Sequence, residues 1–226
     1  MTTIDHISGG RVELGLGAGW NEREHAGYGF RFPSLGERMD LLEEQLEIVH
    51  RQWTEEEFSF EGSHYKLERC RAEPKPLQRP HPPLIMGGAA GPRSLALAAR
   101  FADEYNVGYL TPDECAAPRE RITAACRAAG REPIAQSLMT GCIVGRDAGE
   151  VAERLARADA VGADTPLHDS VVFGPGRVVG TVEQTIERLE AYEAVGIERV
   201  YLQHLVHDDL EMVRLIGSEI VPAMSR

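Results

Sequence analysis

Residues Arg11 to His25 read RVELGLGAGWNEREH, and the change of character along that stretch governs how the rest of the chain is understood. It opens as a strand, with Val12, Leu14 and Leu16 recurring at period two. Gly15, Gly17 and Gly19 then remove side chains at every second position, and the run ends on an indole and a carboxamide, Trp20 and Asn21. A strand end without side chains lets something flat lie against the backbone. The stretch therefore reads either as one wall of a ligand pocket or as a glycine-softened strand that bends beside its neighbour. It is not a dinucleotide fingerprint. Counted from Gly15 as G-x-G-x-x-G, position 20 needs a glycine or alanine and holds Trp20, and no helix is expected at once, since Tyr28 to Pro33 reads as loop.

Outward from this stretch, Thr2 to Ser8 reads as the tail of a helix closed by Gly9-Gly10. Leu35 to Trp53 reads as a helix whose Met39, Leu42, Leu46, Val49 and Trp53 form an apolar stripe, with Trp53 as its last core anchor. Phe58–Phe60 and Tyr65–Leu67 alternate as the arms of a hairpin. A proline-rich crossing (Pro74, Pro76, Pro80, Pro82, Pro83) leads to the continuously apolar strand Leu84–Met86. That strand ends in Gly87-Gly88-Ala89-Ala90-Gly91, and Pro92 stands where a helix begins. Strand and helix then alternate: helix 92–102, strand Tyr105–Tyr109, helix 112–129, strand Gln136–Val144, helix 147–160. An irregular stretch runs to Gly180, read as surface loop with a lid as the lesser option. Thr181 and Gln184 form a capping box for the helix to Ala194. Strand 199–204 follows, and Asp208 caps a last helix to about Met224. Five strands in such units demand a parallel sheet with helices outside, as an open doubly wound sheet or as most of a barrel.

The chain has 226 residues, 42% of them hydrophobic, which suits a single domain, 1–226, with a substantial core. A net charge of −12 argues against nucleic acid and anionic membrane surfaces as partners. Cys70, Cys115, Cys126 and Cys142 are scattered without a C-x-x-C pair, so a reduced, cytoplasmic setting is expected rather than a disulfide framework. His25, His50, His64, His81, His168 and His207 do not fall at metal-ligand spacing, and no metal is expected.

Several short motifs occur in one order: Ser8-Gly9-Gly10-Arg11, Gly15–Asn21, Gly36-Glu37-Arg38, the FEG-x-x-Y hairpin, Glu73–Pro76, Pro82–Gly88, Ala102–Asn106, Gly180-Thr181 and Gly196-Ile197. That ordered set resembles the luciferase-like monooxygenase superfamily, and within it the deazaflavin (coenzyme F420)-dependent oxidoreductases of actinobacteria. The resemblance implies a (β/α)8 TIM barrel, here incomplete with about five of eight βα units and a hairpin excursion, and a cofactor across the C-terminal mouth of the strands. Carried over residue by residue, it implies that Gly88, Ala89, Ala90 and Gly91 hold the ribityl-phosphate tail beside the following helix N-terminus. Gly19, Trp20 and Asn21 would contact the cofactor, and Asn106, at a strand end, is counted with the cofactor-binding residues as a pocket-facing amide, or else caps its own turn. Gln203 and His204, ending the last strand, are the candidate substrate contacts. No catalytic residue is assigned.

The implied reaction is hydride transfer between F420 and a small organic substrate. The alternatives are an FMN-dependent monooxygenase and an inactive remnant. The resemblance also implies three further strands before Thr2, so the chain reads as a barrel without them. An internal methionine taken as the start, a fragment, or a genuinely reduced form would each account for that. Bare sheet edges at Val12–Leu16 and Val200–Gln203 lead to the expectation of a homodimer, or of help from a separate N-terminal fragment.

Overall fold

Parallel pairing is what the alternation of strands and helices requires, and the ladders that join Leu14–Leu16 to Leu84–Met86, Cys142–Gly145 to Val178–Thr181 and Ser137–Gly141 to Arg199–Gln203 are parallel. The computed structural model describes residues 1–162, 174–204 and 206–225. It divides into two compact units, Met1–Tyr105 with Ala125–Ile134, and Asn106–Ala124 with Ala135–Arg226.

In the first unit, helix α1 (Thr2–Ser8) ends on Gly9 in the left-handed region at φ 68°, a conformation glycine adopts without a Cβ clash. Buried Asp5 ties α1 to the proline crossing. Its carboxylate accepts from Leu77 N–H (2.7 Å), Gln78 N–H (3.3 Å) and Gln78 Nε2 (2.8 Å). Strand β1 (Leu14–Leu16) is shorter than the expected Val12–Leu16, because Val12 gives its carbonyl to Gln78 Nε2 at 2.7 Å instead of to a ladder. β1 pairs in parallel with β4 (Leu84–Gly87), Leu14 opposite Leu84 and Leu16 opposite Met86.

A helix, α2 (Glu22–Gly27), begins directly after Asn21, where none was expected. Asn21 Oδ1 accepts from Glu24 N–H, and Glu22 and Glu24 lie at the positive end of the helix dipole. Helix α3 (Leu35–Thr54), capped by Ser34, buries Leu42, Leu46, Ile48 and Trp53. The antiparallel hairpin β2 (Phe58–Glu61) and β3 (Lys66–Cys70) is pinned to α3 by Glu44, whose carboxylate receives the N–H groups of Ser63, His64 and Tyr65. Helix α4 (Pro92–Phe101) follows β4 and leads into β5 (Glu104–Gly108), whose last three residues belong to the second unit.

In the second unit, α5 (Pro112–Ala128) begins and β6 (Ala135–Gly145) is the longest strand described. The first half of β6 pairs with β8 (Arg199–Gln203) and its second half with β7 (Val178–Thr181), both in parallel. β7 lies in the stretch read as irregular. Its ladder, from Cys142 opposite Val178 to Gly145 opposite Thr181, is a long-range match with no local pattern. Helices α6 (Ala148–Gly162) and α7 (Val182–Ala194) pack on this sheet, and α7 carries the expected Thr181–Gln184 capping box. The last helix, α8 (Leu210–Leu215), is capped by Asp209 rather than Asp208 and continues through a π-helical turn to Met224. Most of the surface-loop or lid reading for 161–180 falls outside the described residues. No helix among the described residues is long and apolar enough to cross a membrane.

Candidate functional site

Parallel ladders bring the C-terminal ends of neighbouring strands to one edge. In the first unit the register of Leu16 with Met86 therefore sends the Gly17–Asn21 and Gly87–Gly91 segments out from the same edge of the β1–β4 pair. The two glycine-lined strand ends are brought together, as the pocket reading requires. No described atom lies within 4 Å of where a Cβ would sit on Gly17 or Gly91, so the backbone there borders open space. Gly88 (φ 141°) and Ala90 (φ 52°) curl the loop after β4. Successive N–H groups in such a turn form a concavity for an anion. Helix α4 starts at Gly91 without a side-chain cap and with Pro92 in its first turn. Its first-turn N–H groups and dipole are thus open to a ligand.

One member of this cradle is committed elsewhere. Ala90, 1% exposed, donates its N–H to Tyr105 Oη (3.2 Å), and the same hydroxyl bonds Ser94 Oγ (2.8 Å). Tyr105 is fully buried and supports the loop from behind. Arg93, in the first turn of α4, turns to Asp40 (2.5 Å) and Glu43 (3.0 Å) on α3. Those bonds and carboxylate charges raise its pKa. Trp20 is 61% exposed, an indole free to stack. Asn21 gives its side-chain oxygen to the cap of α2. Gly19, at φ 74°, packs against the ring of His25, which bonds Asn21 O at 2.8 Å.

A cavity of about 480 Å³ also lies in this unit, lined by Leu14, Leu16, Val49 and Trp53 among others. It opens beside Leu14 and Leu16, which alternate with Gly15, and it contains none of the predicted site residues.

In the second unit the strands carry a polar face. Ser137, Met139 and Gly141 of β6 are in register with Arg199, Tyr201 and Gln203 of β8, so these six residues share one side. Asn106 joins them, donating from Nδ2 to Ser137 Oγ at 2.8 Å. It is therefore anchored to a strand neighbour. Gln203 accepts at Oε1 from Tyr109 Oη at 2.7 Å. His204 places its ring edge-on to His207, centroids 6.3 Å apart, and its buried Nδ1 has no hydrogen-bond partner among the described residues. The alternate face is mixed: Leu138 and Cys142 are buried there beside Gln136 and Thr140, and Thr140 Oγ1 donates to Gly176 O at 2.9 Å.

Tyr105, Ser94, Tyr109 and Ser137 were not singled out in the sequence. Tyr105, Ser137 and Tyr109 are joined to Ala90, Asn106 and Gln203 across 15, 31 and 94 residues, Ser94 bonds Tyr105 across 11, and no local spacing announces such pairs. All four cysteines are free, and burial pushes Cys115 up to about 11 and Cys142 up to about 12, so both remain thiols near neutral pH. Among the described residues no group of three or more His, Cys, Asp or Glu is placed to hold a metal.

Comparison with known proteins bears on this geometry. An FMNH(2)-dependent dimethylsulfone monooxygenase of Pseudomonas putida is 27% identical over 252 residues, covering 98% of this chain and 68% of that protein. An uncharacterized protein of Mycobacterium tuberculosis is 33% identical over 195 residues, covering 84% and 62%. The chain thus spans about two thirds of the length of these relatives. Among solved structures, a monooxygenase from Streptomyces bottropensis superposes with a TM-score of 0.81 at 22% identity, over 99% of this chain and 72% of that one. An F420-dependent secondary alcohol dehydrogenase in complex with an F420–acetone adduct gives 0.78 at 20%, over 100% and 73%. These likenesses assign the α/β, TIM-barrel-type fold. The luciferase-like monooxygenase model matches residues 1–199, and the chain belongs to that family.

Proposed function

We propose that this protein is an oxidoreductase that moves a hydride between the deazaflavin F420 and a small organic substrate. The family makes oxidoreductase chemistry the general reading, and the cradle after β4 supports the choice of cofactor. A phosphodiester such as that of F420 carries one negative charge, whereas the terminal phosphate of FMN carries close to two at neutral pH. The cradle offers a helix N-terminus and the N–H groups of a curled loop, but Ala90 has given its N–H to Tyr105 and Arg93 is held by two carboxylates. A site built from backbone dipoles, with its nearest guanidinium neutralised, suits the lesser charge.

In this reading Gly88, Ala89 and Gly91 hold the tail, Trp20 stacks near the ring system, and Gly15 and Gly17 let it approach the backbone. Gln203 and His204 are the substrate contacts. The cofactor, when bound, supplies the hydride chemistry, and the protein binds, orients and excludes water. The second reading, an FMN-dependent monooxygenase, is favoured by the FMNH(2)-dependent relative.

Titration of the protein with F420 and with FMN separates the two. Exposed Trp20 and buried Trp53 are the only tryptophans, so quenching of the accessible indole, lost in Trp20→Phe, reports binding. Saturable quenching by F420 with weaker or no response to FMN is the expected result. The reverse order establishes the monooxygenase reading instead.

A further inference from the structure

Tyr109, directly after β5, holds a left-handed backbone at φ 57°, which a residue with a side chain seldom adopts. The surrounding chain keeps it there. Its N–H donates to Met139 O at 2.9 Å. Gly176 packs so closely that an added Cβ would sit 2.4 Å from Tyr109 O and 2.5 Å from Leu110 O. Tyr192 Oη donates to Leu110 O at 2.8 Å. The result of this bracing is one polar contact, from Tyr109 Oη to Gln203 Oε1 at 2.7 Å. Half-burial raises the pKa of the phenol, so it remains a donor near neutral pH.

A donor at that position determines which way the amide faces. With Oε1 engaged by the hydroxyl, Nε2 of Gln203 has no partner among the described residues, and flipping the amide would take this acceptor away from the phenol proton. Gln203 lies on the same face of the sheet as its register partner Gly141, which is itself buried. We propose that Tyr109 is a positioning residue that fixes the Gln203 amide with its NH2 directed to a carbonyl-type oxygen of the substrate. This rests on the oxidoreductase reading, in which the polar face of the second unit is the substrate side. The substrate class it selects is a neutral molecule carrying an acceptor oxygen, in preference to an amine of the same size.

The test uses the 15N-labelled full chain without cofactor, the Gln203 side-chain NH2 pair being identified by its loss in Gln203→Leu. Cyclohexanone is expected to shift that pair in the wild type and to bind about tenfold more weakly to Tyr109→Phe, the worth of one well-placed hydrogen bond. Cyclohexylamine is expected to bind both proteins alike. Without ligand, the NH2 pair should move toward free-glutamine values in Tyr109→Phe, which a merely structural tyrosine would not cause. Gln203→Glu keeps the acceptor for Tyr109 and removes the donor, so it should lose the ketone and gain the amine. It also serves if Tyr109→Phe fails to fold. An NH2 pair that ignores Tyr109→Phe, equal cyclohexanone affinity in the two proteins, or no ketone binding to the wild type overturns the proposal. Failure here leaves the cofactor assignment to its own titration, since neither F420 nor FMN is present.

Discussion

Replacing Tyr105 by phenylalanine tests the support of the cradle. The side chain is fully buried, and its hydroxyl receives the Ala90 N–H and bonds Ser94 Oγ. Phenylalanine fills nearly the same volume, so the packing change is small, and the cost falls on the polar groups left behind. Ala90 is 1% exposed, and a buried N–H deprived of its partner costs about 1–3 kcal/mol. Ser94 is only partly buried and can turn toward water. A net loss of about 2 kcal/mol lowers the midpoint of thermal unfolding by about 4–8 °C for a chain of this size. Without its anchor, the loop holding Ala90 at φ 52° also relaxes, so the cofactor must restore the curl on binding. An affinity loss of about tenfold corresponds to about 1.4 kcal/mol of reordering. Tyr192→Phe is the matched control, because its hydroxyl bonds Leu110 O and Gly176 O in the other unit. It should lower the midpoint while leaving affinity for the cofactor tail unchanged. Calorimetry and fluorescence titration on the three proteins decide the matter. A Tyr105→Phe protein with wild-type midpoint and wild-type cofactor affinity would refute the assigned support.

Arg154 donates to buried Asp209 at 2.8 Å and to Val144 O at 2.7 Å, so Arg154→Met should cost about 3–5 kcal/mol in chemical denaturation by leaving a carboxylate buried without its partner. Burial alone would raise the pKa of Asp209, but bonds from Arg154 and Met212 N–H and the charges of Arg154 and Arg157 outweigh it and lower the pKa. The stabilisation is therefore present above the unfolded-state value and lost as pH falls through the folded-state value, and wild-type and variant stabilities should converge in acid. Gly176→Ala forces a methyl against the backbone of Tyr109 and Leu110. Its expected cost is about 1–3 kcal/mol, with displacement of the Gln203 NH2 resonances, and a variant indistinguishable by both readouts would contradict the close packing. Ile4, Ile7, Trp20, Tyr28, Phe30 and Leu35 are each exposed, and large apolar side chains left in water favour association. Sedimentation equilibrium should find a homodimer that Ile7→Glu shifts toward monomer; a wild-type monomer at every concentration counts against it.

Where physical cause was local, the sequence could be read. Pro92 after Gly91, the Thr181–Gln184 box and the Leu42–Leu46 stripe each form as expected because propensity, capping and periodicity act over a few residues. Two local cues were present and passed over: Asn21 followed by Glu22 and Glu24 is a helix start, and it became α2. β7 was invisible for a different reason. Val178–Thr181 is four residues after Gly-Pro-Gly, and only the distant second half of β6 makes it a strand. β1 lost two residues to a side-chain amide, Gln78, that no period could reveal.

The site divides along the same line. Glycines at strand ends advertise a close approach of backbone and ligand, and the register of Leu16 with Met86 confirms that the two glycine segments leave from one edge. What such segments hold is decided by groups that glycine patterns do not mention. Tyr105 removes one N–H from the cradle, and Asp40 and Glu43 withhold a guanidinium; in the second unit, by itself, Tyr109 Oη engages the Gln203 amide oxygen. Each lowers the number of ways a ligand can be bound, by consuming a donor or by fixing one. Under the proposed function, the choice between F420 and FMN, and the choice of substrate, fall to those long-range pairs, so substitutions at Tyr105 and Tyr109 should move specificity further than any change among the glycines that first revealed the site.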